Sequence, residues 1–198
     1  LRMLGPEGSR DLAAGYLSLL RFMAPGASRV VDKMPQNFIH IGFAALLFPN
    51  MRIVHCMRNP ADNFLSAFQN NMKSGHSYSY APDDYAGYYK QYLRLMRHWR
   101  DVLPGRIFDL RYEELTADPE TKVKSLLDFL DLPWDERCLR FYERGGSVKT
   151  LSRHQVRAPI HSGSVEKWRN YAEELKPLTE ALRAEAAALG YDLDQPRS

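Results

Sequence analysis

The sequence predicts an α/β fold, a parallel sheet flanked by helices, and three observations point there. Short apolar runs rich in β-branched residues recur along the chain: "RVVD" at 29–32, "RIVHCM" at 52–57 and "RIFDL" at 106–110. Stretches with helical periodicity lie between and after them. A continuous apolar strand set between helices fits a sheet covered on both faces, and alternation of the two element types fits a layered architecture. With 198 residues, 44% of them hydrophobic and 12% aromatic, the chain carries enough apolar side chain for one substantial core. Residues 1–198 are therefore expected to form a single domain.

The elements follow in chain order. The chain opens at Leu1 and not at a methionine, which predicts a piece of a longer protein or a processed form. The run "FIHIGFAALLF" falls short of the roughly 18 apolar residues that cross a bilayer and contains a histidine, so it is expected to be a buried helix. After the strand at 52–57, Asn59 suits an N-cap and Pro60 the first turn of a helix. Tyr85, Tyr88, Tyr89, Tyr92, Leu95, Met96, Trp99 and Val102 follow helical spacing, entered through "PDD" and ended by Pro104-Gly105. Val123, Leu126, Leu127 and Leu130 repeat that spacing, with Asp118 as N-cap and Pro119 at the first helical position. A last helix is expected from about Glu174 to Leu189, with Leu175, Leu178, Leu182 and Leu189 on one face and Gly190 as its stop. Trp99, Trp134 and Trp168 are expected to pack, Trp168 also walling a pocket, and His55, inside a strand, is expected to be a core residue with a hydrogen-bond partner.

Charge and cysteine usage narrow the function classes. A net charge of +3 does not by itself mark a nucleic-acid binder. Cys56 and Cys138 stand far apart and in no metal-ligand spacing, which fits a reducing compartment, the cytoplasm, better than a disulfide framework. No acidic cluster has metal-ligand spacing, so no metal is expected. Between Lys149 and Arg169 the chain carries Lys149, Arg153, Arg157, Lys167 and Arg169 with His154 and His161, against Glu166 alone. Pro159 and Gly163 interrupt this run, so it is expected to be loop, and a basic loop suits an anion better than a solvated helix face does.

In such sheets ligands bind beyond the carboxyl ends of the strands. Lys33, Arg58 and the pair Arg111-Tyr112 each follow a predicted strand directly. At a single strand end a polar residue means little, but three together with a basic loop downstream describe an anion site. In "CMRNPADNFLS", Arg58 offers a forked, permanently charged donor set. The helix that starts beside it is expected to present unpaired backbone N–H groups and the positive end of its dipole. Ser66 adds a hydroxyl two turns later. The competing reading makes Arg58 and Asp62 an ordinary surface contact, contributing less than about 1 kcal/mol.

At these residues the sequence resembles a family. "DKMPQNF", "RIVHCMRNPADNFLSAF", "RYEEL" and "SRHQVRAPIHSGSVEKW", in that order, are similar to the C-terminal two-thirds of a sulfotransferase domain. The similarity is to bacterial sulfotransferases often fused to tetratricopeptide repeats and to the related tyrosylprotein sulfotransferases. It runs from about residue 12 to residue 189.

The resemblance implies a P-loop-NTPase-like α/β fold and transfer of a sulfuryl group from 3'-phosphoadenylyl sulfate (PAPS) to a hydroxyl, protein tyrosine among the acceptors. It adds an upstream tetratricopeptide region as a partner segment to what charge, spacing and apolar runs already lead one to expect: no metal, no nucleic acid and no membrane. Arg58 and Ser66 would hold the 3'-phosphate of the donor and of its product, adenosine 3',5'-bisphosphate. Lys33 and Ser152 would stabilise the transition state. Tyr112, the segment Ser152 to His161 (Gln155, Val156, Arg157, Pro159 and His161 within it) and Lys167 would contact the nucleotide. Asn59 stands where the family commonly has Asp. The family's 5'-phosphosulfate loop and its glutamate base are expected upstream of this segment, and Glu7 is not assigned that role. Two rival readings stand beside this one. One is a catalytically silent nucleotide-binding or protein-interaction module of the same fold. The other is a nucleotide kinase, disfavoured because no G-x-x-x-x-G-K-[ST] run occurs.

Overall fold

A computed structural model describes residues 5–70, 75–143 and 158–194. The chain divides into two compact units, one of Leu1–Ile53 with Arg94–Arg106, the other of Val54–Leu93 with Ile107–Ser198.

In the first unit, helix α1 (Pro6–Met23) starts at a proline, with Glu7 in its first turn and Arg21 in its last. Both charges complement the helix dipole. The sequence reading did not mark this helix, although Leu12, Tyr16 and Leu20 recur at four-residue spacing on one face. Tyr16 lies against Phe48 with ring centroids 5.6 Å apart, and its hydroxyl bonds the Asp32 carboxylate. A 3₁₀ turn (Pro35–Ile39) leads into the short helix α2 (Ile41–Leu47).

Two expectations are corrected here. Helix α2 is not buried all round: Ile41 and Ala45 are inside, while Phe43 and Leu46 face outward. The run Arg29–Asp32 is not a strand, and Val31 is 89% exposed. Its β-branched residues favour extended backbone, but a strand exists only where a neighbour completes its hydrogen-bond ladder. Lys33 therefore sits, exposed, in an irregular segment.

Gly42 is fixed by Trp99, whose indole N–H donates to the Phe38 carbonyl at 2.7 Å. A methyl group at position 42 would stand 2.5 Å from the far edge of that ring.

In the second unit, β1 (Ile53–Met57, counting its first residue from the other unit) and β2 (Ile107–Arg111) are hydrogen-bonded neighbours in a parallel sheet flanked by helices. Parallel neighbours need a long crossover, and helices α3 (Pro60–Gln69) and α4 (Pro82–Val102, counted with the first unit from Arg94) lie in it. Helix α5 (Tyr112–Ala117) continues directly from β2. Helix α6 (Pro119–Phe129) is capped as expected, the Asp118 carboxylate accepting the Thr121 N–H at 3.1 Å, and Phe129 reaches back to Phe108 of β2. Helix α7 (Lys176–Ala188) buries Leu178, Leu182 and Ala186, and Gly190 ends it with φ of 74°.

The core joins these faces through Phe64 and Leu65 of α3, Tyr85 and Tyr89 of α4, and Trp168. His55 is buried and its Nδ1 lies 2.6 Å from the Asp109 carboxylate, while Nε2 meets the Tyr92 hydroxyl. Trp134 does not pack inside: it is 40% exposed, with the Lys124 ammonium 5.0 Å above its ring. Among the described residues no helix is long and apolar enough to cross a membrane.

Because the Trp99 ring is held at its N–H, it cannot swing clear of a new methyl group. Gly42→Ala is expected to lower stability by about 1–3 kcal/mol, the usual cost of overpacking, measured as the midpoint shift in urea denaturation. An unchanged midpoint would show that the ring yields.

Candidate functional site

Helix α3 begins directly after β1, and the backbone of its first turn is fully accounted for. The Asn59 side-chain oxygen accepts the N–H of Ala61 at 2.9 Å and of Asp62 at 3.3 Å, so the predicted cap is present. Pro60 has no N–H, and Asn63 donates to the Asn59 carbonyl at 2.9 Å. The N–H of Asn59 itself goes to the Glu113 carboxylate at 2.8 Å, and the other Glu113 oxygen accepts the Tyr191 hydroxyl at 3.2 Å. This corrects the expectation of unpaired N–H groups at this helix start. A helix whose first donors are satisfied by its own cap has none left for a ligand. An anion bound beside this helix start must find its donors outside the first-turn backbone.

Those side chains come from one face of α3 and from a distant turn. Asp62, Leu65, Ser66 and Gln69 recur at i, i+3, i+4 and i+7, so they share a face. Asp62 is 1% exposed, and both its oxygens are used. One accepts the N–H of Glu166 at 2.7 Å, the other that of Trp168 at 2.8 Å. Burial pushes its carboxyl above the ordinary carboxylate value, and the Trp168 N–H, the Arg58 charge and the Glu166 N–H each pull it partly back. Asp62 is thus not the solvent-exposed partner that the competing reading of Arg58 required.

Arg58 is aimed by two contacts. Its Nη2 donates to the Ser164 carbonyl at 2.6 Å, and the guanidinium lies 4.9 Å from the Tyr112 ring centroid. Its Nε is buried and, among the described residues, has no partner. The turn that carries Ser164 continues through Glu166, a non-glycine residue at φ of 56°, to Lys167, whose ammonium is 3.4 Å from the Gln69 side-chain oxygen. The Tyr112 hydroxyl approaches the His161 carbonyl at 3.5 Å.

Between α3, α5 and this turn lies a cavity of about 420 Å³. Its lining mixes polar groups, among them Arg58, Asp62, Ser66, His161 and Lys167, with the apolar Leu65, Leu115, Phe141 and Ile160. Ligand cavities usually run from roughly 300 to 1,000 Å³, with a few placed polar groups among apolar ones.

The profile of the sulfotransferase family matches residues 7–136. The chain belongs to this family. Cytosolic sulfotransferase 15 of Arabidopsis thaliana is 31% identical over 172 residues, 69% of this chain and 48% of that protein. A protein of Caenorhabditis briggsae named as a putative protein-tyrosine sulfotransferase is 23% identical over 175 residues, 84% of this chain and 61% of that protein. The chain thus spans less than two thirds of the length of either of these relatives. The solved sulfotransferase domain from the curacin biosynthetic pathway superposes with a TM-score of 0.63 at 20% identity. The superposition covers 91% of this chain and 68% of that one, and shows the shared fold.

The sulfotransferase motifs gather unevenly in this structure. Arg58, Ser66, Tyr112, Pro159, His161 and Lys167 all line the one cavity. Lys33 lies in the first unit. Ser152, Gln155, Val156 and Arg157 lie outside the described residues. The sequence reading missed Asp62 and Glu113 as organisers of the site. An acid in the first turn of a helix is ordinary, and an acid two residues past a strand is equally ordinary. Only long-range pairing separates them from solvated charge.

The cap gives a local test of this arrangement. Asn59→Ala removes the acceptor for two buried N–H groups and is expected to cost about 1 kcal/mol, up to about 2, read by thermal or urea denaturation. No loss of stability would show that water or another group serves the helix start.

Proposed function

We propose that this chain forms the donor-binding part of a PAPS-dependent sulfotransferase, within one sulfotransferase-like domain. It binds PAPS and its product adenosine 3',5'-bisphosphate, and the group moves to a hydroxyl acceptor, with protein tyrosine in the acceptor class. The observation that carries the reading is that Arg58, Ser66 and Lys167 line one cavity together with the apolar Leu115, Phe141 and Ile160. A nucleoside bisphosphate has groups for both kinds of lining: anionic phosphates for the cationic side chains, and a flat base for Leu115, Phe141 and Ile160. The relatives' printed names support both the activity and the tyrosine class.

In this reading Arg58 and Ser66 take the 3'-phosphate. Tyr112, the segment from Ser152 to His161 and Lys167 take the rest of the nucleotide. In the transfer, the sulfur–oxygen bond to the donor's phosphate breaks and one to the acceptor oxygen forms, while the acceptor's O–H bond breaks and its proton passes to the general base, the role of the family's glutamate. Negative charge grows on the leaving phosphate, and Lys33 and Ser152 are the donors proposed to meet it, so the step needs in-line placement and charge neutralisation rather than a metal. The unpaired cysteines Cys56 and Cys138 support a reducing compartment such as the bacterial cytoplasm.

Calorimetry with adenosine 3',5'-bisphosphate and with 5'-AMP tests the donor assignment. The parent chain is expected to prefer the bisphosphate. Arg58→Ala is expected to weaken bisphosphate binding by about ten- to a hundredfold, as loss of a charged hydrogen bond of about 1.5–3 kcal/mol implies, with little change for 5'-AMP. A variant that discriminates as well as the parent would refute the role given to Arg58.

A further inference from the structure

We propose that Asp62 is a positioning residue for the donor site: its buried carboxylate clamps the turn from Ser164 to Trp168 onto α3 and thereby sets the aim of Arg58 and Lys167. The inference rests on the donor reading above and assigns a task to a residue that touches no ligand in it.

Three observations support it. Asp62 is buried, and its two oxygens accept the backbone N–H groups of Glu166 and Trp168, residues 104 and 106 positions away. The turn so held has a left-handed, non-glycine residue at its centre, Glu166, a conformation that persists where the surroundings enforce it. On either side of Glu166 the same turn supplies the carbonyl of Ser164, which takes one Arg58 nitrogen at 2.6 Å, and the ammonium of Lys167 at the cavity wall. Releasing the two N–H groups would free both cationic groups at once. Trp168, fixed at the far end of the turn, is 2% exposed in the core, so the clamp joins the cavity wall to packed structure.

Glu113 braces the other side. It faces the same region, with one oxygen on the Asn59 N–H, and its charge lies close enough to oppose ionisation of Asp62. Its bonds hold the start of α3 and leave the turn alone, so the two carboxylates have separable effects.

The test uses Asp62→Asn, which keeps the size of the side chain but offers one acceptor where two N–H groups converge, and sets an NH₂ group against the second. Calorimetry of the full chain at neutral pH with adenosine 3',5'-bisphosphate and with 5'-AMP gives the ratio of the two Kd values. The variant is expected to lose at least tenfold of the parent's preference. A control, Leu182→Val on α7, is expected to be less stable while keeping that ratio, which separates positioning from general loosening. A parent-like ratio in Asp62→Asn overturns the proposal. A parent with no preference for the bisphosphate overturns the donor reading itself, and the proposal with it.

Amide hydrogen exchange on the unaltered protein gives an independent answer should Asp62→Asn not fold. The Glu166 and Trp168 amides are expected to be protected without ligand. Exchange at the rate of open chain would show that the clamp does not hold the turn, and would equally overturn the proposal.

Discussion

A carboxylate taken out of water must find hydrogen bonds to replace its hydration, and in this protein Asp62 finds them more than a hundred residues along the chain. Leaving a buried charge without partners costs several kcal/mol. The residues around Asp62 are thereby constrained: whatever else the turn does, it must bring the N–H groups of Glu166 and Trp168, two residues apart, to that point on α3. The cavity wall follows from this demand. Arg58 and Ser66 belong to one segment and His161 and Lys167 to another, and they share a cavity because the two segments are fastened beside it.

The same geometry decides how an anion can be held. Many anion sites use the free N–H groups at a helix start. Here Asn59 spends them on its own side chain, and Glu113 takes the N–H of Asn59 as well. Positive charge at the cavity therefore comes from long side chains on two different elements. A guanidinium braced by a carbonyl and an aromatic face loses less freedom on binding than a free one. Arg58 is braced in that way, with Nε still without a protein partner among the described residues.

The parts legible in the sequence were those governed by local rules. Helix α4 followed its tyrosine spacing, Asp118 and Asn59 capped the helices they preceded, and Gly190 ended α7. The strand expected at 29–32 failed because β-propensity describes a residue's fit to a sheet and does not supply the neighbouring strand. The run around Gly42 looked fully buried because apolar content alone hides which face packs: Ile41 and Ala45 turn inward, Phe43 and Leu46 outward. Motif order picked out Arg58, Ser66, Tyr112, Pro159, His161 and Lys167, and the structure sets these six in the lining of one cavity. Asp62 and Glu113 were not, since their roles depend on partners remote in sequence and their local contexts suit any surface acid.

The central claim is that Arg58 and Ser66, on a helix start whose backbone donors are already used, grip an extra phosphate on a ribose. A crystal structure with adenosine 3',5'-bisphosphate bound tests it most directly. The account predicts 3'-phosphate oxygens at hydrogen-bond distance, roughly 2.7–3.1 Å, from the Arg58 guanidinium and the Ser66 hydroxyl. A nucleotide whose 3'-phosphate points into solvent, with that corner of the cavity empty or filled by a carboxylate of the protein, would contradict it.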